Sequence, residues 1–166
     1  MSKAAIVYWS GTGNTELMAQ KVLEGARAAG AEALIFQAAD FSADKMDEFD
    51  AIAFGCPSMG AEQLEESEFE PMFTACRPGL RGKKIALFGS YGWGDGEWMR
   101  TWEADCRADG AQLLAEPVIC NEIPDADAQE ACIALGRALA CRILPLDDTR
   151  KFPQLLFYPF DFTGWF

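Results

Sequence analysis

Residues 8–16 read YWSGTGNTE and directly follow the apolar run AAIV at 4–7. An apolar run that enters a Gly-rich turn and then a helical pattern is a strand–loop–helix unit. Such a loop gathers backbone N–H groups around an anion at a helix N-terminus. Gly11 and Gly13 permit unusual dihedrals and close approach of a ligand. The hydroxyls of Ser10, Thr12 and Thr15 and the amide of Asn14 add further donors to phosphate oxygens. No Lys or Arg stands in the stretch. An ordinary strand-to-helix turn capped by Ser, Thr or Asn uses the same residue types, so the loop alone leaves both readings open.

Several other phosphate chemistries fail on the residues. A Walker A loop needs Gly-Lys-Ser/Thr, and there is no lysine. The dinucleotide pattern G-x-G-x-x-G starts at Gly11 and Gly13 but ends on Glu16. A thiol phosphatase loop wants an arginine six residues after its cysteine, where Cys56 is followed by Glu62. A phospho-acceptor receiver domain wants acidic residues after its first and third strands, where Trp9-Ser10 and Cys56-Pro57 stand.

Outward from this loop, strand and helix patterns alternate. Met18, Val22, Ala26 and Ala29 at helical spacing predict a helix that ends at Gly30. Continuous apolar runs predict strands at 4–8, 33–36, 51–55 and 84–89, and a fifth over 113–120 interrupted near Pro117. Helices are predicted over about 68–76, with Phe69, Met72, Phe73 and Cys76 inward, and over about 96–109, with Met99, Trp102 and Cys106 inward. A last helix from about 125 turns Ala128, Cys132, Leu135 and Leu139 inward. The alternation predicts an α/β fold: a doubly wound, five-stranded parallel sheet covered on both faces. Ligands of such sheets bind at the carboxyl ends of the strands. The loops to inspect are therefore 10–15, 56–66 and 90–97. The periodic pattern stops near residue 140, which predicts a domain over 1–140 and an irregular extension over 141–166. That extension is rich in Phe and Pro, and its Phe157, Phe160, Phe162, Trp165 and Phe166 would dock on the domain, promote self-association or have no role.

Composition bounds the partners. The chain has 166 residues, half of them hydrophobic, and a formal net charge of −12. That charge argues against nucleic acid and anionic membrane surfaces, and favours a basic protein partner or plain solubility. No apolar run of about 18 residues occurs, so no membrane-spanning helix is expected. No secretory signal is visible ahead of the strand that starts a few residues from the N-terminus, so none is expected. The six cysteines form no C-x-x-C pair, which argues against iron–sulfur or structural zinc sites and for buried thiols of a cytoplasmic protein. No histidine is present, which removes the commonest general base and transition-metal ligand. No metal site is expected.

The second loop reads GCPSMGAEQLEESEFEP from Gly55, and the third reads FGSYGWGDGEWM from Phe88. Met59 offers a polarizable thioether, and Gly60 a backbone open to two orientations. Trp93 between two glycines is free to form a planar wall, although a loop tryptophan also serves as a plug into the core. A phosphate loop, a thioether and an indole on neighbouring loops suit a flat aromatic cofactor bearing one phosphate, such as flavin mononucleotide (FMN).

These three stretches resemble the short-chain flavodoxins, particularly those of the clostridial and rumen-bacterial type. The resemblance covers about residues 3–140 and three motifs in order. It implies a sheet of order 2-1-3-4-5 and a low-potential one-electron carrier with non-covalently bound FMN, shuttling between semiquinone and hydroquinone. It implies that Ser10, Gly11, Thr12, Gly13, Asn14 and Thr15 bind the phosphate, with Ser90 beside it and Ser58 near the ribityl chain. Met59 and Trp93 would sandwich the ring, Glu62 would accept from the flavin N3–H, and the Gly60 carbonyl would accept from N5–H after reduction. Pro57, Ala61, Tyr91, Gly92 and Gly94 complete the implied cofactor-binding set. Some members have Ser at the position of Pro57, and the family often has a polar residue at that of Ala61. The expected partners are reductases and low-potential acceptors with basic docking surfaces. The alternatives are a flavodoxin-like NAD(P)H or quinone reductase, and a binding module without redox function.

Charge then acquires a purpose. Fully reduced bound flavin is anionic, so each nearby carboxylate disfavours it. One charge about 12 Å away at an effective dielectric of about 20 costs roughly 1.4 kcal/mol, or about 60 mV for one electron. Glu62, Glu65, Glu66, Glu68 and Glu70 follow the second loop, and Asp95 and Glu97 lie in the third. Each of them is also an ordinary solvated surface charge on the bland reading.

Overall fold

The computed structural model describes residues 2–140. The predicted extension over 141–166 lies outside the described residues. The strands are β1 (Lys3–Tyr8), β2 (Glu32–Gln37), β3 (Ala51–Gly55), β4 (Lys84–Tyr91), β5 (Gln112–Leu113) and β6 (Val118–Asn121). Every strand pairing is parallel. The order is β2-β1-β3-β4-β5, with β6 also on β4. β5 pairs with Lys84 and Ile85, and β6 pairs with Phe88 through Tyr91. The two pieces thus share one position beside β4, and the sheet is five strands wide. Pro117, which has no N–H to give a ladder, lies in the break between them. The interruption is where the sequence put it.

The helices are α1 (Asn14–Ala28), α2 (Phe69–Cys76), α3 (Glu97–Ala108) and α4 (Ala126–Ala140). Side chains alternate across the strands and divide the core in two. On one face Ala4, Ile6, Ala53, Ala86 and Phe88 pack under α1 and α4. On the other, Ala5, Val7, Ile52, Phe54, Ile85 and Leu87 pack under α2 and α3. The first face is tight. A Cβ on Gly25 would lie 2.0 Å from the Ile133 carbonyl oxygen, and one on Gly136 would lie 2.0 Å from that of Val22. α1 and α4 touch backbone to backbone there, and nothing larger than hydrogen fits. The second face is aromatic: Trp102 meets Phe69 and Phe73 edge-on at 5.4 and 5.5 Å.

The inward faces of α2 and α3 are as predicted, with Trp98 buried in addition. Three details differ. Ala29 caps α1 and is exposed, because the chain turns out of the helix one residue before Gly30. Ala128 is only half-buried at the start of α4. β4 runs on through Ser90 and Tyr91, because β6 supplies them with a partner strand. The third loop therefore starts after Tyr91 rather than at Ser90.

Candidate functional site

The carboxyl ends of β1, β3, β4 and β6 open on a cavity of about 410 Å³. Gly11, Thr12 and Asn14 line it from the first loop, and Pro57, Ser58 and Met59 from the second. Ser90, Tyr91 and Gly92 line it from the end of β4 and the third loop. None of its lining residues is Lys or Arg.

One end is built of buried donors. Gly13 caps α1 at φ 95° with no side-chain cap, so the first-turn N–H groups face outward without a partner in the helix. The Ser10 hydroxyl accepts from the Gly13 N–H at 3.1 Å and fixes the loop's shape. Thr15 and Ser90 are 1% and 5% exposed, and their hydroxyls meet at 3.1 Å. The Thr15 hydroxyl also accepts from the Ser90 N–H at 3.4 Å. This pair ties the first turn of α1 to the end of β4, from sequence positions far apart. Ser58 donates its N–H to the Ser90 carbonyl at 3.0 Å, but its own buried hydroxyl has no partner. A buried polar group without a partner is costly unless a ligand or water completes it. The donor set, the uncapped helix end and the orphaned Ser58 hydroxyl all fit a phosphate-bearing polar chain such as that of FMN.

The other end is open. Met59 and Trp93 are 38% and 63% exposed. Met59 and Gln63 exchange two backbone bonds of 2.8 Å, closing the tight turn that carries Gly60 and Ala61 at its exposed tip. Gly60 at φ 56° takes a left-handed conformation that glycine adopts without penalty, whereas Glu62 adopts φ 53° with a side chain. That left-handed conformation costs Glu62 about 1 kcal/mol. Its carboxylate accepts from the Asp95 N–H at 3.2 Å and so bridges the second and third loops. The bridge requires glycine at 94, where a Cβ would lie 2.0 Å from the Glu62 Oε1.

Behind the second loop, Glu65 is buried and acts as a cap. Its carboxylate accepts from the N–H groups of Ser67, Glu68 and Phe69 at 2.7, 2.9 and 2.8 Å, and from the Ser67 hydroxyl. Burial opposes its ionisation, but these donors outweigh burial and hold its carboxyl below the ordinary range. The Trp98 indole N–H donates to the Cys56 carbonyl at 3.2 Å and fixes the base of the same loop. Burial raises the thiol of Cys56, and pushes that of Cys76 to about 11 and that of Cys106 to about 12, so all three stay protonated.

The structure thus brings nine of the predicted residues to one cavity wall. Ser10, Gly13 and Thr15 shape the first loop from behind it. Gly60, Ala61, Glu62, Trp93 and Gly94 stand at its open end without lining it. Three lining residues were missed: Trp9, Glu122 and Ile123. The Trp9 ring lies against Gly11, where a Cβ would come within 3.0 Å of it. Glu122 at φ 55° donates its N–H to the Tyr91 carbonyl at 2.7 Å and turns the chain after β6 toward the cavity. The rule of carboxyl ends covers this loop too, but the broken fifth strand hid where it begins.

Among the described residues, no helix is long and apolar enough to cross a membrane, and no cluster of metal-ligating side chains occurs.

A doubly wound sheet with a donor-rich, cation-free cleft at its carboxyl edge defines an α/β protein for a phosphate-bearing cofactor. The sequence model of the Flavodoxin family matches residues 6–136. The chain is 48% identical over 135 residues to the flavodoxin of Megasphaera elsdenii, covering 81% of this chain and 96% of that protein. It is 44% identical over 135 residues to the flavodoxin of Clostridium beijerinckii, covering 81% and 97%. The solution structure of the two-electron reduced M. elsdenii flavodoxin superposes with a TM-score of 0.77, covering 82% of this chain and 98% of that one. The chain belongs to the flavodoxin family, whose members are FMN-dependent electron-transfer proteins.

Proposed function

We propose that this chain is a low-potential one-electron carrier and that its three loops hold FMN without a covalent bond. The carrying observation is the orphaned buried hydroxyl of Ser58, in a cavity that the uncapped N-terminus of α1 also borders. The N–H groups and hydroxyls of Ser10, Gly11, Thr12, Gly13, Asn14 and Thr15 would hold the phosphate, with Ser90 bracing Thr15. Ser58 and Pro57 would face the ribityl chain, and Met59 and Trp93 the two sides of the ring. Tyr91 at the end of β4 and Gly92 and Gly94 in the third loop would complete the site around it. The free lone pairs of the Glu62 carboxylate would accept from the ring's N3–H. Gly60 has open space around its Cα and is free to turn its carbonyl toward the site, a movement that the neighbouring Ala61 would modulate. When bound, FMN supplies the redox chemistry, taking up and releasing one electron at a time.

The phosphate loop carries no cation, so the phosphate charge adds to the acidic field on the ring rather than being cancelled. The exposed Glu66, Glu68, Glu70, Asp95 and Glu97 extend that field and would steer basic surfaces of reductases and low-potential acceptors to the Met59–Trp93 edge. The family match ends at residue 136, which supports placing the FMN-binding unit within 1–140. The described cysteines are unpaired, which favours a reducing compartment and a cytoplasmic location. Such a carrier has no substrate site of its own and is not an enzyme.

The test is a titration of FMN into the cofactor-free protein, followed by stepwise reduction. Stoichiometric binding and two separate one-electron steps are expected. Steady NAD(P)H oxidation by the protein alone would favour a reductase instead.

A further inference from the structure

The third loop carries the most exposed aromatic wall of the site, yet few bonds hold it in place. Trp93 lies between Gly92 and Gly94, and Gly94 and Gly96 both have positive φ, 80° and 95°. A chain segment so rich in glycine has many conformations open to it. Two side chains reach Asp95 in its midst. Glu62, from the second loop, accepts from the Asp95 N–H at 3.2 Å. Arg100, from α3, donates to the Asp95 carbonyl at 3.0 Å and to its carboxylate at 2.8 Å. One residue is therefore gripped at its N–H, its C=O and its side chain at once.

The placement of Arg100 is informative. Its N–H bonds to the Gly96 carbonyl at 3.1 Å, which sets it at the start of α3. A cation there opposes the helix dipole, which prefers negative charge at an N-terminus. The guanidinium instead reaches back over the loop, and its planar fork matches a carbonyl and a carboxylate of one residue together. A lysine ammonium presents one point charge and does not reproduce that fork.

We propose that Arg100, acting through Asp95, is a positioning residue that holds the Trp93 loop against Glu62 and so sets the gap between the Met59 and Trp93 walls. The latch is a property of the protein before any cofactor arrives, while its benefit to binding rests on the FMN reading above. With the loop already placed, FMN binding avoids the cost of ordering it. Removing the latch therefore shortens the residence of the cofactor more than it slows its entry.

The experiment uses the full chain with Arg100→Ala and Arg100→Lys. Amide hydrogen exchange of Asp95 is followed by NMR in the cofactor-free protein, and FMN affinity by fluorescence titration. In Arg100→Ala the Asp95 amide is expected to exchange about 3-fold faster and FMN to bind about 3-fold more weakly, as suits an exposed ion pair. Arg100→Lys is expected to fall between the two proteins in both readouts. An Asp95 amide that exchanges at the original rate in Arg100→Ala overturns the latch. Faster exchange with unchanged FMN affinity overturns its role in placing the wall. If the original protein binds no FMN, the cofactor reading fails, and the exchange result still decides the latch.

Discussion

The two ends of the site are built in opposite ways. At the first loop the anchoring hydroxyls of Thr15 and Ser90 are buried and bonded to each other, so the donors around the helix end are fixed before a ligand arrives. At the tips of the second and third loops the walls Met59 and Trp93 are exposed, and the bond that bridges the two tips, from the Asp95 N–H to the Glu62 carboxylate, is a surface bond. A constant group such as a phosphate is best met by fixed donors. A ring that changes its charge and its N–H pattern is best met by a segment that can turn. This contrast suggests that damage to the first end lowers both folding stability and affinity, while damage to the second lowers affinity alone.

Thr15→Val should show the largest effect. It keeps the shape of the side chain and leaves the buried Ser90 hydroxyl and N–H without their partner. Stability should fall by about 2 kcal/mol, and FMN affinity by about 10-fold besides. Urea unfolding and fluorescence titration measure the two losses separately. A variant as stable as the original would break the contrast at its firmer end.

Glu65→Ala comes next, because it removes the cap of α2 behind the second loop. The loss should be about 2 kcal/mol at neutral pH. The folded-state pKa of Glu65 lies below its unfolded value. Its stabilisation is therefore fully present above the unfolded pKa of about 4.3 and is lost as pH falls through the lower folded value. Unfolding curves of the two proteins should differ most at neutral pH and converge on acidification. A difference that grows in acid would contradict this role.

Trp93→Ala tests the open end directly. FMN affinity should fall by about 10-fold. Stability of the cofactor-free protein should stay within about 0.5 kcal/mol, as for an exposed side chain. A clear loss of stability would show Trp93 to be a plug of the core after all, the other role open to a tryptophan in a loop.

The same contrast explains what could be read from the sequence. The central strands β1, β3 and β4 were legible because each is buried on both faces and so appears as an unbroken apolar run, as Ala51–Gly55 does. The α2 and α3 faces were legible because Phe69, Met72, Phe73 and Met99, Trp102, Cys106 fall at helical spacing. The first loop stood out because its glycines and hydroxyls follow a buried strand, although an ordinary capped turn draws on the same residue types. Long-range pairings were not. Nothing local says that Thr15 will meet Ser90, or that Glu62 will reach Asp95, since each depends on which strands become neighbours. Glu65 looked like one more acidic residue of a charged stretch. Only the fold buries it and turns its carboxylate into a cap. Glu122 and Ile123 escaped for a related reason: the strand before them is short, and its register is set by β4 rather than by its own pattern.

The smallest predicted effect concerns charges that touch neither end. Glu66 and Glu70 are exposed, unlike Glu65; Glu66 precedes α2 and Glu70 lies in its first turn. They form none of the salt bridges found among the described residues, so their fields are free to act on an approaching partner. Glu66→Gln and Glu70→Gln should each slow electron transfer to a cationic acceptor by about 2-fold at low ionic strength. The effect should vanish near 1 M salt, where the screening length falls to about 3 Å. FMN affinity should not change, because neither residue lines the cavity. Stopped-flow rates over a salt series measure the first effect, and fluorescence titration checks the second. A rate loss that persists at high salt would mean that these carboxylates act through the structure of the second loop rather than through their field. The open end would then be less independent of its surroundings than the contrast with the first loop requires.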